Sequence, residues 1–143
     1  MTSLSSTNAS AQFHFEHTVN ADELDFLGHV NNKTYLGWME MVAWEHAQSV
    51  GITHQLQRQL NRIMAVYEHT MHYHASCYKD ETLIISTWIQ APDSYCRRRR
   101  FFKMTRKHDN KCVFSAESVY VCIDMKKHKP KRIPNEYTLP YFN

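Results

Sequence analysis

The sequence predicts an α+β domain in which one antiparallel sheet of about five strands wraps around a single long central helix. Residues 32–50 repeat apolar side chains at spacings of three and four, as an amphipathic helix does. Five further runs are rich in Ile, Val, Thr and aromatic residues, and turn residues separate them, as is typical of strands. These runs lie at 13–19, 63–75, 81–91, 95–108 and 113–124.

The length of 143 residues fits one domain, and no repeat or linker marks a boundary inside it. Residues 1–11 are polar and rich in Ser, Thr and Asn, and they lack the apolar centre of a signal sequence. We therefore expect a disordered tail over 1–11 and a folded domain over 12–143.

The first half of the domain follows from periodicity. Apolar and polar side chains alternate from Phe13 to Val19, which predicts a half-buried strand. A loop over 20–28 leads into the long helix, and Gly51 fits the position just beyond the end of that helix. A shorter helix is predicted over 54–60.

Turn residues divide the second half into strands. Lys79-Asp80, Pro92-Asp93 and Asp109-Asn110 interrupt the β-rich runs. Asp and Asn tolerate turn conformations, so the last pair predicts a hairpin between the final two strands.

Composition limits the function classes. The net charge of +3 suits an anionic ligand but is too small to require nucleic acid. The four cysteines form no Cys-x-x-Cys pair, which indicates reduced thiols and a cytoplasmic protein. No run approaches the roughly 18 apolar residues of a membrane span, so a membrane protein is not expected.

The stretch from Asp25 to Trp38 is the strongest chemical signal. It places a carboxylate and a glycine turn directly before the long helix, which either Asn31 or Asn32 can cap. The next free backbone N–H groups at the helix start can polarise a carbonyl oxygen while Asp25 attacks it or activates water. The alternative is an ordinary capped loop with a solvated aspartate.

The pattern Asp-x-x-Gly-His-Val-Asn-Asn-x-x-Tyr-Leu-x-Trp-x-Glu, which runs from Asp25 to Glu40, resembles the signature of hotdog-fold thioesterases. The closest group is the 4-hydroxybenzoyl-CoA thioesterase-like family of acyl-CoA thioesterases. The part from Gly28 to Trp38 also resembles plant acyl-ACP thioesterases, although those have asparagine where this chain has Leu27. Weaker similarity extends over 68–83 and 113–134.

The resemblance implies a hotdog fold and the hydrolysis of an acyl-CoA thioester without a cofactor. Asp25 is then the nucleophile or the general base, and the backbone N–H near Asn32 polarises the thioester carbonyl. His29 orients the carboxylate or lines the thioester site, or is a loop histidine bonded to backbone. Tyr35 and Trp38 line the acyl pocket. Related proteins pair their sheets, so a homodimer or homotetramer is expected.

The run Arg97, Arg98, Arg99 and Arg100 is the strongest electrostatic feature. On a strand, alternate arginines face opposite ways, whereas a nucleic-acid-binding face would keep its charges on one side. Planar guanidinium groups bind phosphate well, so we predict that this run contacts the phosphates of CoA. A solvated strand face is the alternative.

Several possibilities stay open. His69, His72 and His74 suggest metal binding, but His72 and His74 share one strand face without a third ligand, so no metal is expected. A non-hydrolytic acyl-CoA or acyl-ACP binding module and a basic nucleic-acid-binding protein are the alternative functions. The acyl group, the carrier (CoA or ACP), the route taken by Asp25 and the choice between dimer and tetramer cannot be derived from the sequence.

Overall fold

A computed structural model describes residues 8–143. Within these residues, five antiparallel strands form one sheet in the order β1-β3-β4-β5-β2, and three α-helices with defined bounds accompany it. The strands are β1 (Phe13–Thr18), β2 (Arg62–Tyr73), β3 (Thr82–Ile89), β4 (Arg97–Arg106) and β5 (Lys111–Asp124). The helices are α1 (Asn32–Ser49), α2 (His54–Leu60) and α3 (Leu139–Phe142). The predicted α+β layout, with one long helix against five strands, is confirmed.

Residues 8–10 lie along the end of β3. The Ser10 N–H donates to the Ile89 carbonyl over 2.8 Å, and the Ile89 N–H donates to Ser10 Oγ over 3.0 Å. The Asn8 carbonyl accepts a hydrogen bond from the Ala91 N–H. These contacts continue the pairing along β3. Of the tail predicted over 1–11, residues 1–7 lie outside the described residues.

Helix α1 lies with its apolar face on the sheet. Its buried residues are spaced by three and four, so they fall on one side of the helix. They are Tyr35, Trp38, Met39, Val42, His46 and Ala47. Gly51 follows the helix at a φ of 88°, a left-handed conformation that glycine adopts without steric cost. The predicted helix and its C-terminal glycine are confirmed.

Side chains along each strand point alternately to the helix-facing side and to the outer side of the sheet. In β4 the buried positions are Arg98, Arg100, Phe102 and Met104, with outward side chains between them. Phe102 and Met104 pack in the core cluster beneath the first half of α1. Two arginines therefore share the inward row of β4 with core residues and lie on the buried side of the sheet.

Strand β2 is one edge of the sheet. It is 12 residues long and pairs only with β5, with a bulge between Val66 and Glu68. Tyr67, in the bulge, is 72% exposed. A long edge strand offers unpaired backbone groups and is a ready surface for pairing with another chain.

Candidate functional site

Asp25 lies in a short closed loop directly before α1, here named the helix-entry loop (residues 24–30). Leu24 and Val30 pair across its base, and the Asp25 N–H donates to the His29 carbonyl over 2.7 Å. Gly28 turns the chain at a φ of 82°, where a residue with a side chain would be strained. The loop therefore presents Asp25 at a fixed point six residues before the helix cap, Asn31.

The Asp25 carboxylate is held by the backbone of its own loop. Its Oδ1 accepts hydrogen bonds from the N–H groups of Leu27, over 2.9 Å, and His29, over 3.1 Å. Oδ2 accepts none from the described residues, and the side chain is only partly buried. One carboxylate oxygen is thus fixed while the other remains available to a ligand.

The helix start shows which asparagine is the cap. Asn31 is the N-cap, because its Oδ1 accepts a hydrogen bond from the Lys33 N–H over 3.1 Å. The Asn32 N–H donates to no acceptor within residues 8–143. A free amide at the positive end of an 18-residue helix can therefore bind an oxygen that bears partial negative charge.

Glu23 is a residue that the sequence reasoning missed. Its carboxylate accepts hydrogen bonds from Trp38 Nε1 over 3.2 Å and from the Asn20 N–H over 3.0 Å, and it contacts His17 Nε2 at 2.8 Å. Its carbonyl accepts from the Asn31 N–H over 2.9 Å. Burial alone would raise the pKa of Glu23, but these hydrogen bonds hold it below its usual value. Glu23 thereby fastens the helix-entry loop to β1 and α1.

His29 lies beside Asp25 in sequence but faces a different neighbour. Its Nδ1 is 3.5 Å from Ser76 Oγ, and its ring meets the Tyr78 ring edge-on at 5.1 Å. The hydrogen bond from His29 to Asp25 comes from the backbone, not from the imidazole. Phe26, at 95% exposure, and Leu27, at 64%, extend from the same loop into solvent.

Tyr35 and Trp38 are both buried in the core beneath the first half of α1. The ring of Tyr35 stacks on Phe114 with centroids 4.8 Å apart, and burial raises the pKa of its hydroxyl. Neither residue lines the cavity described next. The structure thus places the two predicted acyl-pocket residues in packing positions on the helix.

A cavity of about 250 Å³ lies between α1, the sheet and the C-terminal segment. Its walls are mainly apolar and aromatic, and the two inward arginines of β4 line it. The lining residues that matter below are Glu40, Ala43, Trp44, Arg98, Arg100 and Tyr141.

The arginine run is divided between the two faces of β4, as its alternation predicted. Arg97 and Arg99 point outward and contact Asp93 at 3.4 and 3.7 Å, and Arg99 also pairs with Glu117. Arg98 and Arg100 point inward and are 4% and 5% exposed. The outward pair lies on the solvent-facing side of the sheet, whereas the inward pair lines the cavity.

The histidines of β2 and the adjacent His74 bond to different serines of β5 or lie apart from them. His69 Nδ1 lies 2.6 Å from Ser118 Oγ, and His74 Nε2 lies 2.8 Å from Ser115 Oγ. Within residues 8–143, no group of three or more His, Cys, Asp or Glu side chains is arranged to hold a metal ion. In the same part of the chain, no helix has the length and apolar character to cross a membrane.

A family model described as the thioesterase-like superfamily matches residues 19–138. No curated protein sequence matches the chain.

Solved structures share the fold at low identity. A 1,4-dihydroxy-2-naphthoyl-CoA thioesterase from Synechocystis is 15% identical, with a TM-score of 0.82 over 92% of this chain and 96% of that one. A hypothetical protein from Staphylococcus aureus, solved in complex with CoA, is 16% identical, with a TM-score of 0.83 over 92% and 82%. YbaW, a probable thioesterase from Escherichia coli, is 22% identical, with a TM-score of 0.76 over 89% and 94%. The predicted hotdog fold is confirmed.

Proposed function

We propose that this chain, which belongs to the thioesterase-like superfamily and is accordingly a thioester hydrolase, acts on an acyl-CoA and releases a carboxylic acid and CoA. The proposal rests on two features of one segment, a carboxylate that its own loop holds in place and a free backbone N–H at the start of α1. Asp25 is fixed by its own loop, and the unbonded Asn32 N–H opens the helix that this loop enters.

In the proposed reaction, the thioester carbonyl oxygen accepts a hydrogen bond from the Asn32 N–H. Negative charge develops on that oxygen as the carbonyl carbon becomes tetrahedral, and the helix N-terminus stabilises it. Asp25 either attacks the carbon or removes a proton from the attacking water. On the general-base route, the C–S bond then breaks and the proton that Asp25 took from water passes to the departing CoA thiolate. On the nucleophile route, CoA leaves as the thiolate and an acyl–Asp25 anhydride remains; water hydrolyses that anhydride, which releases the acid, restores the carboxylate and supplies the proton for the thiolate. Both routes for Asp25 fit the free Oδ2.

In the proposed complex with CoA, the outward arginines, Arg97 and Arg99, bind the phosphates of CoA. Guanidinium groups bind phosphate through paired hydrogen bonds, and phosphate has to displace the partners that these arginines now hold, Asp93 and Glu117. The same ion pairs neutralise part of the outer face, which weakens the case for a nucleic-acid-binding surface.

A screen over short, long and aromatic acyl-CoAs tests the proposed activity. We expect thiol release above the uncatalysed rate for at least one of them. Enzyme without substrate is the necessary control, because two of the four free cysteines, Cys96 and Cys112, are partly exposed and can react with a thiol reagent. Binding of acyl-CoA without release would favour the non-hydrolytic module, and salt-sensitive oligonucleotide binding alone would favour the nucleic-acid alternative.

The edge strand β2 supports a homodimer. Joining two β2 edges pairs their open backbone groups and covers Val66, Tyr67 and Tyr73. We expect light scattering at micromolar concentration to give about twice the 17.0 kDa of one chain. Tyr67→Lys places a charge at the joined edge and should shift the protein towards monomer, whereas Tyr95→Lys, on an exposed loop, should not. A wild-type monomer would contradict the proposed interface.

A further inference from the structure

The cavity beneath α1 contains two buried cations without an acidic partner. Arg98 and Arg100 are 4% and 5% exposed. No carboxylate within residues 8–143 forms an ion pair with either of them. Glu40 also lines the cavity, but its side chain is exposed and makes no ion pair with them. Two adjacent guanidinium charges thus face the cavity without a counter-ion.

Arg98 and Arg100 have more N–H donors than hydrogen bonds. A guanidinium group has five N–H donors. Arg98 donates to the carbonyl of Tyr137, and Arg100 donates to His46 Nδ1 over 2.9 Å, to Thr87 Oγ1 over 3.0 Å and to the Tyr141 hydroxyl over 3.3 Å. Both arginines keep donors without an acceptor among the described residues.

The free donors are open to the cavity. Among residues 8–143, one side-chain nitrogen is fully enclosed and has no hydrogen-bond partner, and it is Arg62 Nε. No nitrogen of Arg98 or Arg100 is in that position. The nitrogens of Arg98 and Arg100 that have no hydrogen-bond partner are therefore not fully enclosed, and both side chains line the cavity.

The surroundings leave the positive charge uncompensated. Burial and the nearby charges of Arg100 and Arg98 lower the pKa of His46 to about 4, so this histidine is neutral at pH 7 and accepts the hydrogen bond from Arg100. The ring of Tyr141 lies 5.2 and 5.7 Å from the two guanidinium carbons, which offers a cation–π contact but no negative charge. Buried charges of one sign are costly, and an anion in the cavity relieves that cost.

We propose that this cavity binds a short amphiphilic carboxylate, with its anionic end on Arg98 and Arg100 and its carbon chain on the apolar wall. A carboxylate accepts the paired hydrogen bonds that a guanidinium group offers. The apolar wall consists of Ala43, Trp44, Ala47, Ile52 and Met64.

The dimensions restrict the ligand to a small molecule. A water molecule occupies roughly 30 Å³ in the liquid, so a cavity of about 250 Å³ has room for roughly eight non-hydrogen atoms. The volume lies close to the roughly 300 Å³ at the lower end of ligand pockets, which suits a small molecule. Hexanoate has a suitable size and serves as the probe.

The inference deepens the proposed function and rests on it only for the source of the carboxylate. One source is the reaction itself, as the released acid or as a carboxylate on the acyl chain. The other is a free acid that binds independently of turnover. If the arginines serve only to hold the C-terminal segment through Tyr137 and Tyr141, no carboxylate binds.

Calorimetric titration of the full chain with hexanoate, hexanol and inorganic phosphate tests the site directly. We expect saturable binding of hexanoate and at least about tenfold weaker binding of the other two, because hexanol lacks the charge and phosphate lacks the chain. Equal affinity for hexanol, equal affinity for phosphate, or no binding of hexanoate overturns the proposal.

Three variants locate the site. Arg98→Met and Ala43→Phe, which fills the cavity but keeps both arginines, should each weaken hexanoate binding at least about tenfold. Lys103→Met removes an exposed cation from the same strand and should leave binding unchanged. Circular dichroism checks folding, and if Arg98→Met does not fold, Ala43→Phe decides. Wild-type affinity in the folded cavity variants overturns the assignment.

Inhibition of acyl-CoA hydrolysis separates the two sources. Competition by hexanoate with an acyl-CoA of the same chain length places the carboxylate on the reaction path, whereas binding without inhibition indicates a separate acid. An inactive protein that still binds hexanoate would refute the proposed function and leave the carboxylate site standing.

Discussion

Replacing Asp25 with asparagine lowers the turnover of the best acyl-CoA by at least about a hundredfold, with no change in fold. The amide oxygen of asparagine can still accept the N–H groups of Leu27 and His29 that Oδ1 accepts now, so the helix-entry loop keeps its shape. The substitution removes the negative charge that attacks the thioester or takes a proton from water. Steady-state kinetics by thiol release measure the loss.

Asp22→Asn is the matched control for this prediction. Asp22 is an exposed acid three residues before Asp25, in the turn over Ala21–Glu23, so the same change there removes the same charge without touching the candidate site. It should keep its turnover within about twofold of wild type. More than about a tenth of wild-type turnover in a folded Asp25→Asn variant would mean that the reacting group lies elsewhere.

Periodicity predicted the elements because each depends on local pattern. The long helix was expected over 32–50 and spans Asn32–Ser49, and the final strand was expected over 113–124 and spans Lys111–Asp124. The hairpin between β4 and β5 turns at Asp109-Asn110, where Asn110 has a φ of 60°. Short polar residues adopt that conformation more easily than most, which is why the turn was visible in the sequence.

The arginine run shows what a local pattern leaves open. Alternation correctly separated Arg98 and Arg100 from Arg97 and Arg99, but it did not say which pair faces the helix. Four consecutive charges suggest a solvated surface. The apolar continuation of one row, Phe102 and Met104, was the signal that could have identified the inward pair, since those residues are buried on the same face.

The candidate site was only partly predictable for the same reason. The loop, the aspartate and the helix start are contiguous in sequence, so a motif could describe them. Glu23 acts through His17 on β1 and Trp38 on α1, and such contacts arise only when separate elements pack. Trp38 likewise suggested a ligand pocket by its position on the helix, whereas the structure directs its indole N–H to Glu23.

Acidification should destabilise the protein through His46. Its pKa is lowered from 6.5 to about 4 by burial and then by the charges of Arg100 and Arg98. Between these two values the unfolded chain binds a proton that the folded chain does not, so stability is fully present above pH 6.5 and is lost as the pH falls towards 4. The whole loss from this residue is on the order of 3 kcal/mol, and about 2 kcal/mol of it falls between pH 6.5 and 5.

His46→Gln tests this cause, because glutamine can accept the hydrogen bond from Arg100 but does not titrate. Urea unfolding at pH 7 and pH 5 should show the wild type losing about 2 kcal/mol more than the variant. His72→Gln, at an exposed position on β2, should keep the wild-type pH dependence. The same loss in wild type and His46→Gln would mean that His46 can be protonated in the folded state. The charge in the cavity would then be more solvated than its burial indicates, and the need for an anionic ligand there would weaken with it.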